Sequence, residues 1–343
     1  MGLAIYVLRR VILLSVILLG VTFLTFSIAA FIPGDPAAIW AGRPDIATES
    51  QLEQVRSAYH LNDPWYIQYG WYLNGILHGD LRTSPITGRP ITTDLATYLP
   101  NTIELGLFAL TLSMVFGGIL GIVAATRRDT LEDHLSRLGA LSSVSLPTFW
   151  TALLFQLIFY YILRWFPDPG GIINQEVLFS YPLHRITGFN TLDALLTGNW
   201  PSFTSLLNHM VMPGLVMSFL PTALIARITR ASMLEVMTQD YVRTARAYGV
   251  PEHIVIYKLA LKNALIPTAT TVALAIGDLL TGSVIVETIF YWPGIGRYSV
   301  NAVQSFDFPA LNGVVLVVAT IFALANLLAD ISYAFLDPRV RQG

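Results

Sequence analysis

Cysteine is absent from the 343 residues, which excludes structural disulfides, thiolate metal sites and cysteine nucleophiles. Charge is also scarce. Asp, Glu, Lys and Arg make up 12% of the chain against 54% hydrophobic residues, about half the charged fraction usual in soluble domains. Mean hydropathy is +0.59, so the chain is a poor candidate for a soluble globule. Lysine is confined to Lys258 and Lys262. Neither follows a glycine, so the usual phosphate-cradling loop cannot form here. His60, His78, His134, His184, His209 and His253 are scattered and make no H-x-x-x-H or H-E-x-x-H pair for a metal. No G-x-S-x-G marks a nucleophilic serine. Catalysis by this chain is not expected. The formal net charge of −2 points to no partner.

What the sequence has instead is long apolar runs. Six reach the ~20 residues needed to cross a bilayer: 11–31, 102–126, 138–163, 209–228, 266–289 and 311–335. The first follows Arg9 and Arg10 but is too long for the 7–15 residues of a signal-peptide core. Arg and Lys sort the connecting segments. Thirteen fall on the side of the N-terminus and seven on the other, the latter in longer loops. Both termini are therefore expected in the cytoplasm, with outer loops at 32–101 and 164–208. The whole chain reads as one all-α membrane domain.

In the first outer loop Thr48 and Gln51 form a capping box, and Leu52, Val55 and Tyr59 give the following helix an apolar face. Pro64 opens a second helix whose stripe Trp65, Tyr69, Tyr72, Ile76 predicts a helix lying in the membrane interface, widened by Tyr66 and Trp71. A soluble subdomain is the alternative. Arg164–Asn208, with Pro167-Asp168-Pro169-Gly170-Gly171, reads as irregular backbone, a turn-rich flap. It either gates cargo or only packs on neighbouring spans.

The stretch Asp240–Pro267 carries Arg243, Arg246, Lys258 and Lys262 between apolar runs. At helical period it gives two short helices broken at Gly249-Val250-Pro251. Glycine supplies the positive φ that ends the first, and proline suits the start of the second. Tyr241, Thr244, Ala245 and Tyr248 fall on one predicted face, flanked by Arg243 and Arg246. Such a helix is placed to dock into a groove on another protein. An ordinary basic cytoplasmic loop is the competing reading, and spacing alone leaves both open.

The same residues carry a resemblance. Asp240–Gly249, D-Y-V-R-T-A-R-A-Y-G, followed by Leu261-Lys262-Asn263-Ala264-Leu265-Ile266-Pro267, resembles the EAA loop of ABC importer permeases in its dipeptide/oligopeptide spelling. Arg243 stands where the general pattern has Glu, and Thr244 where it has Ala. Both departures fit the peptide branch, as does the long Gly249–Pro267 interval. Pro33-Gly34-Asp35-Pro36, Gly79-Asp80-Leu81 and Gly88-Arg89-Pro90 resemble landmarks of that branch. Val286–Arg297, V-E-T-I-F-Y-W-P-G-I-G-R, and the ending Tyr333–Arg341 resemble one of its two permease subunits.

The resemblance implies a type I ABC importer permease fold: six transmembrane helices, two long outer loops and a cytoplasmic coupling-helix loop at 240–267. It implies a heterodimer with a second permease, two ATP-binding subunits that bind ATP and Mg, an extracytoplasmic substrate-binding protein, and the inner membrane of a prokaryote. No cofactor is expected in this chain, nor nucleic acid as a partner. Tyr241, Arg243, Thr244, Ala245, Arg246, Tyr248 and Gly249 would contact the ATPase. The cargo implied is a di- or oligopeptide, with nickel chelates, glutathione or oligosaccharides as alternatives. A stand-alone secondary transporter or channel is the rival of another class. It is disfavoured because no inverted repeat is found.

Asp278 is a carboxylate in the middle of 266–289. At mid-bilayer it costs at least ~2.5 kcal/mol on insertion scales, so it should face protein or water. It either lines the translocation path and meets a cationic group, or hydrogen-bonds a neighbouring helix where Gly277 and Gly282 permit close approach. The resemblance adds nothing at this position. Glu104 and Asp330, near span ends, read as structural.

Overall fold

The computed structural model describes residues 3–31, 35, 37, 38 and 48–336. The helices are α1 (Leu3–Phe31), α2 (Glu49–Ala58), α3 (Trp65–Leu77), α4 (Ile91–Thr126) and α5 (Leu131–Ser145). They continue as α6 (Thr148–Phe155), α7 (Gln175–Ser180), α8 (Asn190–Leu196), α9 (Trp200–Met237), α10 (Asp240–Ala247), α11 (Leu261–Ile289), α12 (Ile295–Gln304) and α13 (Phe308–Leu336). Two π-helical stretches, Gln156–Ile162 and Val255–Ala260, extend α6 and lead into α11. Among the described residues the extended pairing is a single bridge, Thr83 to Pro90.

Among the described residues five helices are long and apolar enough to cross a membrane, or six if α5 with α6 is one span. That third span differs from the continuous 138–163 helix expected from its apolar run. It bends by 108° between Ser145 and Thr148. The cause is Pro147, which lacks an N–H and disfavours helical backbone in the residue before it. Leu146 is accordingly extended, at φ −87° and ψ 126°.

The chain divides into two compact units, one of 1–102 with 293–327 and one of 103–292 with 328–343. In the first, the capping box holds: Thr48 N–H donates to Gln51 Oε1 at 3.0 Å. The aromatic stripe of α3 packs on α1. Trp65 and Tyr69 meet Phe23, and Tyr69 and Tyr72 meet Phe26, with ring centroids 5.4–6.4 Å apart. Tyr69 also hydrogen-bonds Thr22 at 3.1 Å. Rings on α1 one turn apart thus give the stripe of α3 aromatic partners. Tyr66 and Trp71, off the stripe, stay exposed.

Three side chains of this unit converge on Asp94, in the first turn of α4. Its carboxylate is fully buried and lies 2.8 Å from the Arg89 guanidinium. It accepts from the Thr87 hydroxyl at 3.0 Å and the Tyr298 hydroxyl at 3.1 Å. The landmark Pro293-Gly294-Ile295 is held by α4 as well. Asn101 Nδ2 donates to Pro293 O at 2.7 Å, and Ile295 N–H donates to Thr102 Oγ1 at 2.8 Å. The second of these satisfies an N–H at the start of α12 that has no helical partner. Burial and the neighbouring Asp94 carboxylate raise the Tyr298 pKa well above the ordinary phenol value.

In the second unit α9 is central, buried along much of its length. It passes close to α4 at Gly117 and Gly121. A Cβ at Gly117 would lie 2.8 Å from Ile225 Cβ, and one at Gly121 2.6 Å from Thr229 Cβ. Small residues four apart let two membrane helices approach closely. Leu105, Met210, Met212, Val216, Leu279, Phe290 and Trp292 fill the core nearby.

The segment between α6 and α9 is more ordered than its composition predicts. It contains α7 and α8, and Asp193 on α8 folds the turn before it. That carboxylate accepts from the backbone N–H of Ile186, Thr187 and Gly188 at 2.7–3.1 Å and from the Thr187 hydroxyl at 2.6 Å. Burial opposes ionisation, but these donors hold the Asp193 pKa below the ordinary carboxylate value. Glu104 is structural, as expected: its Oε1 accepts from Thr191 N–H at 2.7 Å, anchoring α8 to α4.

Candidate coupling site

The stretch after α9 folds as a short helix closed by a tight turn. Asp240 lies in the first turn of α10 and Arg246 in the last, both favourable to the helix dipole. The helix ends in a Schellman motif: Gly249 N–H donates to Arg246 O at 3.0 Å and Val250 N–H to Ala245 O at 3.1 Å. Gly249 has φ +75°, the left-handed conformation that a side chain disfavours. The expected break at 249–251 is therefore present. The second short helix is not separate. Glu252–Ile254 runs through the π-helical stretch into α11, because nothing after Pro251 interrupts the helical backbone.

The face of α10 differs from the one expected. Val242 is fully buried, packed with Met233, Val236, Val255, Ala260 and Ala264, and Ala245 joins the same cluster from its edge. Burying one valine stabilises by ~1.5–3 kcal/mol, enough to fix which side turns inward. Tyr241 bridges to the next helix: its hydroxyl accepts from Asn263 Nδ2 at 2.8 Å. The predicted stripe is therefore split. Tyr241 and Ala245 hold α10 down, while Thr244 and Tyr248 face outward with Arg243. Tyr248 is 85% exposed, a large ring left uncovered by the described residues.

Arg246 does not stand free beside the face. Its Nη2 and Nε reach Glu252 Oε1 and Oε2 at 2.7 and 3.2 Å, closing the turn from outside. The sequence reading passed over Val242 and Glu252. For Val242 a signal was present: it is the one branched aliphatic residue of α10 and stands three positions before Ala245. The side chain of Asp278 lies outside the described residues; its backbone belongs to α11. Among the described residues no group of three or more His, Asp or Glu side chains comes together to hold a metal.

The chain that carries this helix matches a known family over most of its length. Residues 117–342 match the model of the binding-protein-dependent transport system inner membrane component, and residues 3–90 match its N-terminal companion. The chain belongs to this family of ABC transporter permeases. Its relatives agree in length as well as sequence. The dipeptide transport system permease protein DppB of Alkalihalophilus pseudofirmus is 42% identical over 98% of this chain and 99% of its own. The probable D,D-dipeptide transport system permease protein DdpB of Escherichia coli K12 is 42% identical over 96% and 95%. The oligopeptide transport system permease protein AppB of Bacillus subtilis 168 is 34% identical over 98% and 99%. Family members are membrane components of ABC transporters rather than enzymes, and their fold is that of type I ABC permeases.

Proposed function

We propose that this chain is a membrane-spanning permease subunit of an ATP-driven importer of dipeptides or oligopeptides. The observation that carries the reading is the near-full-length likeness to permeases named for dipeptide and oligopeptide transport. The complex would contain a second, different permease, two ATP-binding subunits and an extracytoplasmic substrate-binding protein. ATP and Mg would be held by the ATP-binding subunits, and both termini of this chain would lie in the cytoplasm of a prokaryotic cell.

In this reading the outward face of α10, Arg243, Thr244 and Tyr248, seats in a groove of an ATP-binding subunit. Tyr241, Ala245, Arg246 and Gly249 make that face rigid from behind. A helix docked through Val242 onto the ends of α9 and α11 transmits a push to both at once, whereas a slack linker would absorb it. Asp278 remains a proposed contributor to the translocation path. The segment between α6 and α9, fastened at Glu104 and Asp193, is placed to face the substrate-binding protein.

The test is reconstitution of the four protein types in vesicles with labelled dipeptide outside. Uptake that requires both ATP and the binding protein is the expected result. Flux by this chain alone, without ATP, would make it a stand-alone transporter instead. Cysteines placed at Gln175 and Glu252 report orientation: an impermeant thiol reagent applied to intact cells should label only the first.

A further inference from the structure

A groove of about 340 Å³ runs between α5 and α9 at the end of the second unit where their charged residues begin. Ala140, Leu141 and Val144 form one wall, and Ala223 and Leu224 the other, with Arg137 and Arg227 at one lip. Helical spacing makes each wall continuous. Ala140, Leu141 and Val144 follow Arg137 at steps of three, four and seven. Leu224 and Ala223 precede Arg227 at steps of three and four, so each arginine shares its face with its own apolar wall.

The two arginines occupy matching depths. From Trp200 to Ala226 there is no Asp, Glu, Lys or Arg, and Arg227 is the first charge after that run. From Leu138 to Leu163 there is again none, and Arg137 is the last charge before it. Both therefore lie where the hydrocarbon ends and headgroups begin. The local charge is positive. Asp133 is already taken by Arg230, whose Nε and Nη2 reach its two oxygens at 2.7 Å each. Arg137 and Arg227 are exposed and make no salt bridge within 4 Å among the described residues, although Arg137 also acts through space on the Asp133 carboxylate. Below them Leu141 and Val144 are 65% and 57% exposed, an apolar surface that the described residues do not cover.

We infer that the groove holds one anionic phospholipid, its phosphate between Arg137 and Arg227 and an acyl chain along Leu141, Val144 and Leu224. A cationic lip above an apolar trough complements an amphiphile with a negative head. Two guanidiniums can also share one phosphate through paired N–H donors. The placement rests on the permease reading above, which sets these helix ends at the cytoplasmic leaflet, where anionic lipids attract basic groups. Bound there, the lipid would splint α5 to α9 beside the Asp133–Arg230 pair.

Native mass spectrometry of the assembled, delipidated transporter tests this with phosphatidylglycerol and phosphatidylcholine of identical chains. The parent complex should hold its last-released lipid with a preference for phosphatidylglycerol on the order of tenfold, from two arginines near a headgroup. R137Q/R227Q should bring that preference close to parity, and R137K/R227K should keep most of it. Leu141→Trp, which fills the trough and spares the charges, should weaken retention of both lipids. Glycerol phosphate, a head without chains, should not displace phosphatidylglycerol. An unchanged preference in R137Q/R227Q overturns the inference. So does displacement by glycerol phosphate, which would leave a simple anion site. A photoreactive residue at Leu141 that captures the second permease would overturn it too. Loss of uptake with the lipid preference intact would bear on the permease reading alone.

Discussion

Arg230 on α9 grips Asp133 on α5 through two 2.7 Å bonds, across 97 positions of sequence. The Asp133 side chain is fully buried, and Arg230 is 23% exposed. The pair bolts the first half of the bent span to the central helix. Removing one partner of a buried pair costs ~3–5 kcal/mol, and the partial exposure of Arg230 puts this case at the low end. Arg230→Gln and Asp133→Asn should each lower the midpoint of thermal unfolding of the purified complex. Measured singly and together, they should show a coupling of at least ~1 kcal/mol. Additive effects would mean that the two bonds contribute little.

Tyr248 and Gly249 are adjacent but should fail differently. Tyr248→Ala removes an exposed ring, so stability should stay within ~0.5 kcal/mol while substrate-stimulated ATP hydrolysis falls. Gly249→Val forces a β-branched residue to φ +75° and should destabilise by ~1–3 kcal/mol as well as uncouple. Ala245→Glu would test packing rather than docking, because Ala245 lies against the cluster beneath α10. Normal stimulation in Tyr248→Ala would remove this ring from the coupling surface.

Three glycines on one turn of α4 make a contrast. Gly117→Ala and Gly121→Ala would drive a Cβ into Ile225 and Thr229, and overpacking of that kind costs ~1–3 kcal/mol. Gly118 meets nothing within 4 Å. Gly118→Ala should therefore be neutral or stabilising by up to ~1 kcal/mol through helix propensity. Thermal unfolding of the three variants should separate them in sign. Equal effects would show that α4 and α9 do not pack in close contact at these glycines.

Asp193 sets a pH dependence in the segment before α9. Its pKa is depressed on folding, so its contribution is fully present above the ordinary aspartate value of about 3.9. It is lost as the pH falls through the lower, folded value. Amide exchange at Ile186, Thr187 and Gly188, corrected for intrinsic rates, should show constant protection from neutral pH down to the ordinary aspartate range and deprotection below it. Asp193→Asn should deprotect the same amides at neutral pH. Retained protection in that variant would assign the order of the turn to other contacts.

The class of this protein was written in its sequence, because a run of about twenty apolar residues has few physical solutions other than a membrane helix. Local backbone chemistry was legible too. Gly249 ends α10, Pro64 precedes α3, and Thr48 with Gln51 starts α2, since each depends only on residues a few positions away. What the tertiary structure decided was which side of each element is covered. The predicted face of α10 was split because Val242 found Met233, Val255 and Ala264 beneath it. The stripe of α3 turned to the rings of α1, and Pro147 was hidden inside an apolar run that hydropathy counts as continuous. Asp94 and Tyr298, Glu104 and Thr191, and Asp133 and Arg230 are each far apart in sequence. A pairing between single charges carries no periodicity, so only the fold could bring them together.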